Sequence, residues 1–112
     1  MSGITSHVLD TSRGKPAEGI AIRLERKAAD DSWQPIKEDV TDSDGRVPNL
    51  VDDGLTVGHY RIGFQVEEYF QLQKVKAFYP IVQIEFTVEA ADQHYHVPLL
   101  LNPFGYSTYR GS

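Results

Sequence analysis

The sequence predicts an all-β fold, a β-sandwich formed by one domain that spans residues 1–112. Apolar and polar residues alternate with a period of two along most of the chain, as in strands that bury one face. Turns that contain glycine or aspartate separate these segments at short intervals. Of the 112 residues 40% are hydrophobic, which is enough for one core. We therefore expect about seven or eight short strands.

Four strands are predicted in the first half of the chain, at residues 4–10, 20–25, 33–40 and 47–51. The second shows the pattern most clearly, because Ile20, Ile22 and Leu24 alternate with small or charged residues. Pro35 weakens the start of the third strand, since proline cannot donate a ladder hydrogen bond. A further turn is predicted at Asp52-Asp53-Gly54.

The second half predicts strands at residues 58–66, 81–88, 94–101 and 106–110, and one short helix at residues 67–74. Glu67 and Glu68 suit a helix N-terminus, and Lys74 suits a C-terminus, because of the helix dipole. Tyr69 and Leu72 are three residues apart and should share one face of this helix. We expect the strands at 81–88 and 106–110 to lie at sheet edges, where a single sandwich leaves them unpaired.

The charge and composition exclude several classes of function. Lys and Arg number 11 against 16 Asp and Glu, which gives a net charge of −5 and argues against nucleic acid as a partner. The absence of cysteine excludes thiol nucleophiles, thiolate zinc sites and iron–sulfur clusters. No apolar run is long enough to span a membrane, and the first residues resemble no secretory signal. We therefore expect a cytoplasmic protein without membrane contact.

Four histidines are the first candidates for chemistry: His7, His59, His94 and His96. His94 and His96 are two residues apart on a predicted strand, so their side chains share a face about 7 Å apart. They could be two metal ligands, with His7 as a third, or simply solvent-facing side chains. His59 belongs to no motif and is expected at the surface. Spacing alone leaves these alternatives open.

Arg46 follows the Asp44-Gly45 turn and is the other candidate. A loop guanidinium can bind a ligand rich in carbonyl or carboxylate groups, and an ordinary solvated arginine is the simpler interpretation. The same turn is not a calcium-binding EF-hand loop. With Gly45 at the sixth position, valines occupy the first and twelfth positions, and valine cannot coordinate calcium.

Three motifs resemble the transthyretin-like proteins. They are Ile4-Thr-Ser-His7-Val-Leu-Asp-Thr-Ser-Arg13-Gly-Lys-Pro16-Ala, Thr41-Asp-Ser-Asp-Gly45-Arg46 and His94-Tyr-His96-Val-Pro98-Leu-Leu-Leu-Asn-Pro103-Phe-Gly-Tyr106-Ser-Thr-Tyr109-Arg-Gly-Ser112. The resemblance covers nearly the whole chain, and the motifs agree in order and spacing. Within that group, the histidines and the terminal Tyr-Arg-Gly-Ser resemble the 5-hydroxyisourate hydrolases of purine breakdown, whereas the vertebrate hormone carriers lack them.

The resemblance implies a sandwich of two four-stranded sheets with one short helix, assembled as a homotetramer that is a dimer of dimers. It also implies an activity, the hydrolysis of 5-hydroxyisourate to 2-oxo-4-hydroxy-4-carboxy-5-ureidoimidazoline. In that reaction water attacks a ring carbonyl and a C–N bond opens. No metal and no organic cofactor is required.

The residues that the resemblance assigns to the site come from all three motifs. The implied catalytic residues are His7, Arg46, His96 and Ser112; the implied substrate-binding residues are His7, Arg46, Tyr109, Arg110 and Gly111. His94 is expected to be a neighbour of the site. An imidazole can take a proton from water near neutral pH, and a guanidinium can stabilise an oxyanion, so these residue types suit the reaction. The alternatives are a non-enzymatic small-ligand carrier, a protein that binds metal through His7, His94 and His96, and an interaction module.

Overall fold

The computed structural model describes residues 3–51 and 54–112, and within that range the chain forms two stacked β-sheets and one short helix. The elements are β1 (Gly3–Asp10), β2 (Lys15–Pro16), β3 (Ala21–Lys27), β4 (Trp33–Val40), β5 (Arg46–Val51), β6 (Gly58–Phe64), α1 (Val66–Leu72), β7 (Val82–Val88), β8 (His94–Asn102) and β9 (Gly105–Thr108). The predicted all-β sandwich is confirmed. The turn predicted at Asp52-Asp53-Gly54 falls partly on residues outside the described range.

The first sheet is centred on β1 and β8, which run parallel, and β9 continues it antiparallel to β8. On the other side of β1, β5 pairs with its first half and β2 with its last two residues. The sheet therefore has five strands but is four strands wide. The two-residue strand β2 is the difference from the predicted two four-stranded sheets.

The second sheet has four antiparallel strands in the order β4-β3-β6-β7. Pro35 lies in β4, an edge strand, where a missing N–H is tolerated. The other edge is β7, and β9 is an edge of the first sheet, so both predicted edge strands are confirmed.

The core lies between the sheets and follows the alternation of the sequence. Tyr60, Ile62 and Phe64 of β6 are buried together, as the period of two predicts. Asp10 is also fully buried, and its carboxylate accepts hydrogen bonds from the hydroxyl groups of Tyr69 (2.8 Å) and Ser12 (2.6 Å). These bonds satisfy a carboxylate that would otherwise be costly to bury. They tie the end of β1 to α1.

The helix ends earlier than predicted. Glu67 and Glu68 occupy its first turn, as expected, but Lys74 lies beyond its end with a φ of 58°. The N–H groups of Lys74 and Val75 bond the carbonyl oxygens of Gln71 and Phe70, which is a Schellman motif with lysine where glycine is usual. Leu72, which is three residues from the buried Tyr69, is 87% exposed. No helix in the described part of the chain is long and apolar enough to cross a membrane.

Candidate active site

Three neighbouring strands place their polar side chains on the outer face of the first sheet. His7 of β1 lies opposite Arg46 of β5, and Thr5 of β1 lies opposite His96 of β8. Residues opposite each other on adjacent strands point to the same face with Cβ atoms about 5 Å apart. His94 shares the face of His96, and the two rings stack with centroids 6.4 Å apart. Residues far apart in the sequence thus form one cluster.

A cavity of about 200 Å³ opens on this face. Its walls are formed by Thr5, Ser6, Arg46, Pro48, His94, His96 and Ser112. Of the predicted catalytic residues, Arg46, His96 and Ser112 line the cavity directly. His7 does not line the cavity but lies beside it: in the sheet it is opposite Arg46 on one side and Pro98 on the other.

His96 has the distinctive electrostatics of the site. Its pKa is lowered from the usual 6.5, first because burial disfavours the charged imidazolium and then because His7, Arg46 and His94 repel a further positive charge. His96 is therefore neutral at pH 7. A neutral imidazole has one nitrogen with a free lone pair, so His96 can accept a proton from water.

Two hydrogen bonds that share one hydroxyl group fix the pair of stacked imidazoles. The Oγ1 atom of Thr5 lies 2.7 Å from Nδ1 of His96 and 3.0 Å from Nε2 of His94. Thr5 is not among the site residues predicted from the sequence. Its spacing from His7, two residues along a predicted strand, shows that the two share a face. The parallel pairing that brings Thr5 to His96 is not visible in the sequence.

The C-terminal tail is held against β8 of its own chain. The register of β8 with β9 places Pro98 opposite Tyr109, and Pro98 has no N–H, so the ladder is interrupted there. It resumes where the Gly111 N–H donates to the carbonyl oxygen of His96 (2.8 Å). A Cβ atom on Gly111 would lie 2.5 Å from Cδ2 of His96, so only glycine lets the tail approach this closely.

Tyr109 and Arg110 lie outside the cavity. The Arg110 guanidinium stacks 4.4 Å from the Tyr95 ring centroid and donates to Gln93 Oε1 (3.2 Å) and to the carbonyl oxygen of His94 (3.3 Å). Both residues line an adjoining cleft of about 260 Å³ between β7 and β8, and His96 lines this cleft as well as the cavity. Within one chain, the residues of the tail therefore lie in two places: Ser112 lines the cavity, and Tyr109 and Arg110 line the adjoining cleft.

Other parts of the molecule show less potential for chemistry. His59 is exposed on β6 of the second sheet, with Nδ1 3.3 Å from the Thr87 hydroxyl group, so the predicted surface position is confirmed. A larger groove of about 380 Å³ runs between β2 and α1, but no histidine lines it. Within residues 3–51 and 54–112, no three His, Asp or Glu side chains come together in a way that could hold a metal ion. The structure therefore does not support a metal site formed by His7, His94 and His96.

Comparison with known proteins agrees with this fold. The model of the HIUase/Transthyretin family matches residues 4–111. The chain belongs to this family. A 5-hydroxyisourate hydrolase from Caulobacter vibrioides is 43% identical over 116 residues, and the match covers 100% of both chains. The resemblance drawn from the three motifs is thereby confirmed.

Solved structures of the family superpose closely on the chain. The 5-hydroxyisourate hydrolase of Klebsiella pneumoniae is 32% identical, with a TM-score of 0.88 and 100% of each chain covered. Sea bream transthyretin, solved in complex with thyroxine, is 31% identical, with a TM-score of 0.92 over 96% of this chain and 93% of that one. (S)-Allantoin synthase is 37% identical, with a TM-score of 0.91; the match covers 99% of this chain and 44% of that one. The same fold thus occurs in hydrolases, in a hormone-binding protein and within a longer enzyme chain.

Proposed function

We propose that this chain is an enzyme that hydrolyses 5-hydroxyisourate to 2-oxo-4-hydroxy-4-carboxy-5-ureidoimidazoline, a step of urate breakdown. The full-length similarity to proteins named for this activity supports the substrate. The observation that carries the proposal within the molecule is the convergence of Arg46, His96 and Ser112 on one cavity beside His7. This convergence joins all three sequence motifs in one place.

The chemistry begins with water. In our proposal, His96 accepts a proton as the water oxygen attacks the ring carbonyl carbon, because a neutral imidazole with a lowered pKa is a competent base at pH 7. The carbonyl oxygen gains negative charge, and the Arg46 guanidinium stabilises it; one such donor is worth about 3 kcal/mol. The C–N bond then breaks. The leaving ring nitrogen takes up the proton that His96 accepted, and the new carboxylic acid releases its own proton to water to become a carboxylate.

The remaining site residues bind and orient the ring. His7 and Arg46 lie opposite each other on β1 and β5, and we assign both to binding as well as catalysis. Gly111 permits the close approach that holds Ser112, a hydroxyl donor, at the cavity. In our proposal Tyr109 and Arg110 bind substrate from the edge of the site. Neither lines the cavity within one chain, so this role depends on assembly. The proposal uses no metal and no organic cofactor.

The experiment follows the oxygen atom of water. Freshly generated 5-hydroxyisourate is turned over in ¹⁸O-labelled water with enough protein to outpace the spontaneous reaction. The proposal predicts faster substrate loss and one ¹⁸O atom in the new carboxylate of the product. Loss of substrate at the spontaneous rate would contradict the proposed function, and a product without the label would contradict water attack at the carbonyl carbon.

We also propose that the chain assembles as a homotetramer, a dimer of dimers. The strands β7 and β9 both end their sheets and leave backbone groups without a neighbouring strand. Phe78 is 68% exposed, and its ring contacts that of Tyr79, which in turn contacts Tyr106 of β9. A second copy would cover these groups. Sedimentation equilibrium at micromolar concentration tests this assembly, and a fully active 12.6 kDa species would contradict it.

The second candidate function is a non-enzymatic carrier of a small aromatic ligand. The observation that favours it is the close superposition on a transthyretin that binds thyroxine. Tight thyroxine binding without acceleration of hydrolysis would support the carrier.

We further propose that the protein acts in the cytoplasm, since a chain without cysteine folds equally well in a reducing compartment. Fractionation of cells that express it tests this location.

A further inference from the structure

We propose that Thr5 is a positioning residue that sets the tautomer of His96 and links it to His94. A threonine hydroxyl carries one hydrogen, which it can donate to only one of two ring nitrogens. The other ring must then donate its own N–H to the hydroxyl oxygen. The contacts of Oγ1, 2.7 Å to His96 Nδ1 and 3.0 Å to His94 Nε2, therefore allow only two arrangements when both imidazoles are neutral.

The two arrangements differ in which nitrogen of His96 can take a proton. If His96 donates from Nδ1 to Thr5, its Nε2 atom has a free lone pair. If Thr5 donates to Nδ1 instead, Nε2 carries the hydrogen and cannot accept another. Among the hydrogen bonds of the described residues, none reaches Nε2 of His96. The Nε2 atom is bonded to Cδ2, the ring atom nearest Gly111, so this edge of the ring lies toward the tail that ends at Ser112.

The arrangement that makes His96 a base also requires His94. With the Nδ1–H of His96 donated to Thr5, the Thr5 hydroxyl group must donate to Nε2 of His94, so His94 carries its own hydrogen on Nδ1. By accepting the hydrogen of the Thr5 hydroxyl group, His94 leaves only the hydroxyl oxygen to face His96, so His96 must keep its hydrogen on Nδ1. After His96 accepts a proton on Nε2, its Nδ1–H bond to Thr5 becomes charge-assisted and stabilises the imidazolium.

The backbone holds the three groups in place. Thr5 and His96 are opposite each other in the parallel pair of β1 and β8, both central strands of the first sheet. The rings of His94 and His96 are nearly parallel, at 18°, so one hydroxyl group can reach both. His94 acts through Thr5 in this scheme and does not need to touch the substrate. The effect on turnover rests on the proposed function, whereas the tautomer itself does not.

The test compares Thr5→Val with Thr5→Ser. Valine keeps the β-branched shape that suits a strand and removes the hydroxyl group, and serine keeps the hydroxyl group. Two-bond ¹H–¹⁵N correlation spectra of the whole protein should show His96 as one tautomer, with hydrogen on Nδ1, in the wild type and in Thr5→Ser. Thr5→Val should show a mixture. With 5-hydroxyisourate, Thr5→Val should lower kcat about tenfold with KM within about twofold, and Thr5→Ser should restore it.

A second variant protects the test from a folding defect. His94→Phe keeps an aromatic ring against His96 and removes the acceptor nitrogen, so it should also mix the His96 tautomers without altering β1. A single unchanged tautomer in both Thr5→Val and His94→Phe would overturn the proposal, as would wild-type kcat in Thr5→Val. A wild-type protein that does not hydrolyse 5-hydroxyisourate would contradict the proposed function and leave the spectroscopic result to decide the role of Thr5.

Discussion

The outer face of the second sheet carries charged side chains that pair with one another, whereas the outer face of the first sheet carries imidazoles and a guanidinium. On the second sheet, Arg61 donates to Glu25 through Nε (2.9 Å) and a terminal nitrogen (2.7 Å), and its guanidinium stacks 4.3 Å from the Trp33 ring centroid. Arg23 adds a further contact to Glu25 at 3.7 Å. On the first sheet, no Asp or Glu side chain is among the described residues that line the cavity.

The side chains on the outer face of the second sheet contribute to stability, whereas those on the outer face of the first sheet set the reactivity of His96. The pairs of the second sheet are partly exposed, and such pairs contribute about 0–1 kcal/mol each to the free energy of unfolding. On the first sheet, burial is the main cause that lowers the pKa of His96, and the neighbouring His7, Arg46 and His94 lower it further. The comparison predicts that changes on the first face affect activity and spare the fold, and that changes on the second face do not affect activity.

The largest expected effect is removal of the tail. A chain that ends at Thr108 lacks Ser112 at the cavity and Gly111 against His96, so kcat/KM should fall by at least about 10²-fold. The four removed residues contribute little to the core, and the melting temperature should stay near the wild-type value. Hydrolysis assays, thermal melts and sedimentation on the same sample check this. Near wild-type hydrolysis would show that the tail is not part of the site.

Histidine substitutions compare the two faces directly. His7→Asn and His96→Asn should each lower turnover by about 10²-fold, the scale of losing an acid or base. His94→Asn should have a smaller effect, because His94 acts through Thr5. His59→Asn on the second sheet is the matched control and should keep wild-type turnover. Steady-state kinetics on variants with normal melts decide the matter; a greater loss in His94→Asn than in His96→Asn would contradict the assignment of His96.

A glycine pair tests how closely the tail must approach. Gly111→Ala places a methyl group against His96 Cδ2, so the tail must shift and kcat/KM should fall about tenfold. Gly105→Ala is the control: its Cβ would lie 3.8 Å from the nearest atom, of Asn102, which is ordinary contact. Both variants should melt within about 3 °C of the wild type. Equal activity in the two variants would refute the proposed close fit.

The smallest expected effect is a pH dependence of stability. The pKa of His96 is lowered in the folded protein, so between the lowered value and about 6.5 the unfolded chain binds a proton that the folded chain does not. The free energy of unfolding should therefore fall as the pH drops below about 6.5. Urea titrations of wild type and His96→Asn at a series of pH values measure the difference. An identical pH dependence in both would contradict the lowered pKa.

Much of this architecture is visible in the sequence, because side chains that alternate with a period of two specify strands and their buried faces. Strand β7 begins one residue after the start that the alternation predicts, and β4 has its predicted bounds although most of its side chains are exposed. The end of α1 was not predictable, since a Schellman motif with Lys74 in place of glycine leaves no composition signal. The pairing of Thr5 with His96 depends on parallel neighbours 91 residues apart, which no local pattern encodes. The motifs indicated which residues matter, and the sheet register shows how they meet.

The central claim is that the outer face of the first sheet, closed by the tail, is a hydrolytic site. The direct measurement is the ultraviolet absorbance decay of freshly generated 5-hydroxyisourate, followed with wild type, His96→Asn and His59→Asn at equal concentration. We predict decay that accelerates in proportion to wild-type or His59→Asn protein, and decay with His96→Asn that is slower by about 10²-fold after subtraction of the spontaneous rate. Decay at the spontaneous rate with folded wild-type protein would contradict the claim.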